Sequence, residues 1–270
     1  MARVPFSDPL LGVALLFVTA CRPAPAASSP PASPPPPPAT VAPPPAPAAE
    51  LAFIVDPGGI RREGTNELLV PSSSDPALGA EPRFKRSGPN DLFLVPLADA
   101  FAHGPPQHHL AVIVDPRTPY RLLTEVLFTG GQSNIRFFDL FEGARTGRTL
   151  AFEPPSIANR QAPLTVTLSL TAVIVDGGVS LKVAGGSIAP GCAGVGPGIT
   201  IPRAGGTLDL PALAACAARL KASNPAYAAE DRATIVANPT VQFREVLDVA
   251  LTLQGPTKSQ FPKITFGIAR

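Results

Sequence analysis

Tryptophan is absent from this 270-residue chain, tyrosine occurs twice, and histidine and cysteine occur three times each. Charge is also scarce: 16% of residues carry it, 22 basic against 20 acidic, for a net +2. A nucleic-acid binder needs a clustered basic face, and this balance offers none, so no nucleic-acid partner is expected. No apolar run of about 18 residues or more follows position 21, which excludes a polytopic membrane protein. Side chains for chemistry are few. His103, His108 and His109 all fall in the Gly/Pro-rich stretch HGPPQHH. Two adjacent imidazoles could hold a transition metal, but no cysteine or carboxylate at ligand spacing completes the set. They read as a solvated loop. A Ser-His-Asp triad would have to recruit one of these same histidines, and no strand-turn-helix nucleophile elbow is present. Gly194-x-Gly196-x-Gly198 lacks the following helix of a dinucleotide site, and Arg61-Arg62 and Lys85-Arg86 read as solvated basic pairs. The chain is therefore expected to be no enzyme, with no catalytic residue, no bound metal and no cofactor.

Proline is plentiful instead, and it is unevenly placed. Residues 23–49 hold 13 of the 36 prolines, with no charged residue. Such a tract cannot bury a core and favours polyproline II, so 22–50 reads as a stiff tether. Ahead of it, Arg3, the apolar run Leu10 to Ala20 and the ending Val18-Thr19-Ala20-Cys21 resemble a bacterial lipobox, whose cysteine is lipidated. Residues 1–21 are thus a lipoprotein signal with Cys21 as the lipidation site. A cleaved secretory signal and an uncleaved membrane anchor are the other readings. All three place 51–270 outside the cytoplasm, on the periplasmic side of the cell envelope. Arg22, where an aspartate would mark inner-membrane retention, weighs towards the outer membrane.

The chain also matches itself. Val112 to Val126 lies without gaps on Ile235 to Val249, with Pro116/Pro239, Arg121/Arg244 and Val126/Val249 identical. Asp115/Asn238, Tyr120/Phe243 and Glu125/Asp248 recur in kind. Upstream, Ile54 to Ile60 resembles Ile174 to Val179 with one insertion, and Pro96 matches Pro211. Three similarities in the same order indicate a tandem duplication: copy 1 at 51–143, a connecting segment at 144–163, copy 2 at 164–270.

Each copy reads as the same elements. In copy 2, Leu164 to Val175 alternates as a strand, turns at Asp176-Gly177-Gly178 and returns through Val179 to Val183. Leu213, Cys216, Ala217 and Leu220 form one helical stripe, and Phe243, Val246, Leu247 and Ala250 a second. Thr234 to Ala237 is a strand between them, and Ile264, Phe266 and Ile268 a final one. In copy 1 the corresponding strands are expected at 51–55, 110–114 and 135–140, the helices at 95–103 and 120–129. The fold class is α/β (α+β), two tandem open-faced sandwiches. Each is a β-hairpin followed by α-β-α-β, with two helices on one face of the sheet.

That order of elements, and above all Val112 to Val126 and Ile235 to Val249, resembles the periplasmic domain of the ExbD/TolR family of biopolymer-transport proteins. The resemblance covers most of 51–270, twice. It implies a non-enzymatic domain that pairs with a second copy inside a proton-driven envelope complex. The partners it implies are a membrane, an ExbB/TolQ-like protein and, in some members, peptidoglycan. Two copies in one chain could build the pair internally, as a pseudo-dimer. The family's essential aspartate lies in an N-terminal transmembrane helix, and Pro5-Phe6-Ser7-Asp8-Pro9-Leu10-Leu11 is similar to that context. On that alternative Asp8 is a proton relay in an uncleaved helix. A further alternative is a periplasmic scaffold or peptidoglycan-binding lipoprotein without a motor role.

With Cys21 assigned to the lipobox, Cys192 and Cys216 remain as an even pair in an exported domain and are expected to form a disulfide. The other reading is two separate buried thiols.

Overall fold

The computed structural model describes residues 51–104, 108–152 and 167–267. Asp8, Cys21 and the tether lie outside the described residues. Among those described, no helix is long and apolar enough to cross a membrane.

Copy 1 opens with the hairpin β1 (Ala52–Asp56) and β2 (Gly59–Arg62), then β3 (Leu68–Pro71). Helix α1 (Val95–His103) leads to β4 (His109–Val114), α2 (Tyr120–Gln132), β5 (Phe137–Glu142) and β6 (Thr149–Phe152). The sheet order is β3-β2-β1-β4-β5-β6, with β1, β4 and β5 parallel. Copy 2 repeats this with β7 (Thr171–Val175), β8 (Gly178–Val183), β9 (Gly186–Ser187), β10 (Ile201–Pro202), α3 (Leu210–Ala222), β11 (Arg232–Ala237), α4 (Phe243–Gln254) and β12 (Lys263–Phe266). Its sheet runs β10-β8-β7-β11-β12, with β9 on β8. These are the two sheet-plus-helix units expected from the duplication.

Period-two alternation explains β5, where Phe138 and Leu140 join the buried core while Phe137 remains exposed; β4, in the middle of its sheet, is buried on both faces from Leu110 to Val114. All four α4 stripe residues are fully buried, as are Leu213 and Ala217 of α3, with Cys216 2% exposed. Burying that apolar surface, at roughly 25 cal/mol per Å², is what holds a helix of this length to its sheet.

Several details differ from the sequence reading. β3 and β10 were not foreseen, although Val70-Pro71 and Ile201-Pro202 are matching dipeptides. Each crosses a glycine with positive φ, Gly59 (+139°) or Gly178 (+143°). A Cβ on either glycine would sit 2.2 Å from the carbonyl oxygen of Val70 or Ile201, so no other residue fits. Helix α2 runs on through Gly130 to Gln132, because a bare Gly130 lets the helix lie against Phe138, whose ring would be 2.8 Å from a Cβ. β5 accordingly starts at Phe137 rather than 135, after a left-handed turn at Asn134. Finally, Thr149–Phe152, placed in the connecting segment by the sequence reading, is the edge strand β6. Of the expected strand from Leu164, only Thr171–Val175 forms a ladder among the described residues.

Cys192 and Cys216 are joined by a disulfide, with Cα atoms 5.8 Å apart. It ties the turn Pro190–Cys192 to the buried side of α3, and Arg219 Nη2 donates to the carbonyls of Gly191 and Cys192 beside it. Closing a loop of this length stabilises by about 3 kcal/mol in the chain-entropy model. Cys216→Ser is therefore expected to lower stability by about that amount, read as a shift of the urea midpoint. Alkylation without reductant is expected to leave both sulfurs unmodified and, after reduction, to add two groups. Two adducts before reduction would contradict the bond.

Candidate functional site: the seam between the two copies

The first turns of α2 and α4 face each other. Neither helix has a side-chain cap: the residues before them are Pro119 and Gln242, which pair with each other as an antiparallel bridge. The N–H groups at a helix start have no partner within the helix. Here each helix finds it in the other copy. Tyr120 N donates to Val241 O (2.7 Å) and Phe243 N to Thr118 O (2.8 Å); Arg121 N donates to Pro239 O and Arg244 N to Pro116 O, both 3.0 Å. Every donor and acceptor in one copy has its repeat-equivalent in the other, 123 positions away. The contact is a pseudo-two-fold clasp.

Tyr120 extends it. Its ring is buried in copy 2, edge-on to Phe266 with centroids 6.1 Å apart. Its hydroxyl lies 2.7 Å from Gly267 O and 3.1 Å from Ile235 O. Burial pushes this phenol far above its ordinary range, so it serves as a fixed hydrogen-bond donor. The repeat-equivalent Phe243 is fully buried but has no hydroxyl.

The clasp brings together the end strands of the two sheets, β6 and β12, which touch without joining into one ladder. Between them lies a groove of about 250 Å³. Phe137, Phe138 and Phe152 line it from copy 1, Pro262 to Ile264 from copy 2. The rings of Phe138, Phe152 and Phe266 form a chain with centroids 5.7 and 4.9 Å apart. At the mouth, His109 Nε2 meets Asp139 Oδ2 at 2.8 Å and Lys263 Nζ meets Asp231 Oδ2 at 2.6 Å. Phe137 is 45% exposed there, edge-on to the His109 ring. Sites that take up whole small molecules are usually about 300–1,000 Å³. A smaller, aromatic-floored groove with charged lips suits side chains of a larger partner.

Several expected solvated groups lie elsewhere than expected. His103 closes α1, with Nδ1 against Asp99 O, and His109 begins β4 at the groove mouth, so the histidines do not share one loop. Lys85 is buried, because its ammonium meets Glu125 Oε1 at 2.6 Å and Pro89 O at 2.9 Å under the 72–94 loop. Glu125 also accepts from Arg121 Nε (2.7 Å) and Ala80 N (2.8 Å), while burial pushes its carboxyl up against the pull of these donors. Arg61 pairs with Asp56. Among the described residues, no cluster of three or more histidines, cysteines or carboxylates is placed to hold a metal. The groove itself was missed in the sequence. Its one linear signal was the phenylalanine pair at 137–138.

No family model, curated protein or solved structure matches this chain.

At the other end of β6, Arg148 makes a bidentate pair with Glu142 (2.7 and 2.9 Å) and reaches Asp248 of copy 2 at 2.5 Å. The Arg148 guanidinium holds the Glu142 carboxyl below its ordinary 4.5, and the Lys263 ammonium does the same for Asp231 below its 3.8. A carboxyl whose folded pKa is depressed adds stability that is present above its unfolded value and is lost as pH falls through the folded one. The urea midpoint is therefore expected to fall as pH drops below about 4.5, and Glu142→Gln to flatten that fall. An unchanged pH profile in Glu142→Gln would remove Glu142 from the account.

Proposed function

We propose that this chain is a membrane-tethered, non-enzymatic binding component of the cell envelope, related to the ExbD/TolR periplasmic domains. Its binding face is the groove between β6 and β12. The observation that carries this reading is the reciprocal clasp: two copies of one domain pair through equivalent atoms, and the pairing creates the groove. The occupant is an extended polypeptide segment of an envelope partner, its apolar side chains over Phe137 and Phe152. Two further features support a polypeptide: among the described residues β6 and β12 are the end strands of their sheets, and the lips carry both signs of charge. The tether reading rests on the lipobox-like ending at Cys21 and the proline tract after it.

Three measurements test this. A photo-reactive phenylalanine analogue at position 137 is expected to give discrete crosslinks to an envelope polypeptide in intact cells. The same analogue at Val195, exposed on the far loop of copy 2, is expected to give none of them. Identical adducts from both positions, or none from 137, would remove the groove as the binding face. Radiolabelled fatty acid is expected to label the wild type and not Cys21→Ala; labelling of both would end the lipoprotein reading. Because the clasp occupies the pairing surface internally, light scattering is expected to give the mass of one chain at micromolar concentration. Twice that mass would mean that the copies pair between chains.

A further inference from the structure

One wall of the groove is β6, which among the described residues pairs with β5 alone. Leu150 and Phe152 bury the strand in the core, and two further contacts tie its ends to copy 2. At its far end the Phe152 ring lies on Phe266. At its near end Arg148, the residue before the strand, is held between Glu142 at the end of β5 and Asp248 on α4. Arg244 of copy 2 completes the cluster, its Nε 3.6 Å from Glu142 Oε1. Two cations and two carboxylates balance. Among the described residues, the ion pairs that cross between copies, Arg148–Asp248 and Arg244–Glu142, both belong to this cluster.

The turn that delivers Arg148 is firmly built. Glu142 N donates to Arg148 O (2.9 Å), Gly143 N to Val114 O (2.8 Å), and Gly143 takes a φ of +70°. A Cβ on Gly147 would lie 1.9 Å from Glu142 O, so this position admits only glycine. The guanidinium therefore leaves a rigid turn, and a change at Asp248 or Arg148 acts on β6 rather than on the loop behind it.

We propose that the Arg148 cluster is a latch that sets the width of the groove, so that its release lets β6 swing away from β12 and admits a ligand. This rests on the groove being the binding face. Glu142 and Asp248 are 12% and 26% exposed while Arg148 and Arg244 are 43% and 64% exposed, so salt reaches the cluster and weakens it. A buried pair would hold the groove permanently. The loss of an exposed one changes the open population by roughly two- to fivefold.

Hydrogen exchange read by mass spectrometry on the full chain tests the latch without any ligand. At low salt, Arg148→Met and Asp248→Asn are each expected to speed exchange of the amides in 149–152 and 263–267 by about two- to fivefold. Exchange in β1 and β4 should stay unchanged. One molar sodium chloride should speed the same segments in the wild type and leave Arg148→Met where it already is. Arg61→Met, which removes an ion pair within copy 1, should behave as wild type. Unchanged exchange in Arg148→Met would overturn the proposal, as would acceleration that spreads to β1 and β4. So would an effect of Arg148→Met that Asp248→Asn does not reproduce, since the cross-copy limb would then be idle. Faster exchange together with absent crosslinks at position 137 would keep the latch and discard the binding reading.

Discussion

Glu125→Gln is expected to destabilise the protein by about 3–5 kcal/mol, the range found when one partner of a buried ion pair is removed. The carboxylate and the Lys85 ammonium are both fully buried and 2.6 Å apart. Neutralising Glu125 leaves a cation in the core among neutral acceptors, the carbonyls of Leu78 and Pro89 and the new amide oxygen, with no counter-charge. It also weakens the hold on Ala80 N and on Arg121, which pins the carbonyls of Asn90 and Asp91. Ala80 and Lys85, and through Arg121 also Asn90 and Asp91, are tied to that one carboxylate, while Thr129 holds Leu92 and Leu94. In Lys85→Met/Glu125→Leu the stranded charge is gone, and the double variant is expected to be more stable than Glu125→Gln, although it carries two substitutions. Urea denaturation of the three proteins measures this. A loss below about 1 kcal/mol in Glu125→Gln would show that water reaches Lys85 and that the core is open there.

Tyr120→Ala is the second large effect, with an expected loss of about 3–5 kcal/mol, as for other aromatic deletions from a packed site. The ring fills space in copy 2, and its removal also takes the hydroxyl donor from Gly267 O, while Ile235 O keeps Gly267 N. Tyr120→Phe keeps the ring and is expected to lose only about 1 kcal/mol, the net worth of a typical hydrogen bond. Phe243 already occupies the repeat-equivalent position in that form. Because Tyr120 couples the copies, calorimetry of Tyr120→Ala is expected to split the unfolding peak, the copies melting in separate steps. A single unshifted peak would mean that the clasp contributes nothing to cooperativity.

The elements that the sequence revealed most clearly are those with a strong period and an echo in the other copy. The α4 stripe of Phe243, Val246, Leu247 and Ala250 was legible because apolar residues at 3.6-residue spacing line up on one face only if the backbone is helical. Helix α1 was bounded at Val95–His103 by a proline in its first turn and a glycine after its end. The two-residue strand β10 carries too few side chains for any period to show, and β6 sits among glycines and arginines that read as a connector. Lys85 is the clearest misreading. A lysine next to an arginine is ordinarily solvated, and its partner Glu125 lies 40 residues away on another element.

Composition, the repeat and the cysteine count determined what can be read from a linear string. They set two copies of one α/β sandwich, the buried stripes of their helices, and a disulfide between Cys192 and Cys216. Only the tertiary structure decided how the copies meet. The orphan N–H groups of α2 and α4 take their acceptors from each other's turns, and that geometry places β6 beside β12. The groove and the Arg148 latch follow from it. Their residues come from β4, β5, β6, α4 and β12, so no local pattern holds them together. Juxtaposition across the seam is a property of packing, and a sequence read along its length does not display it.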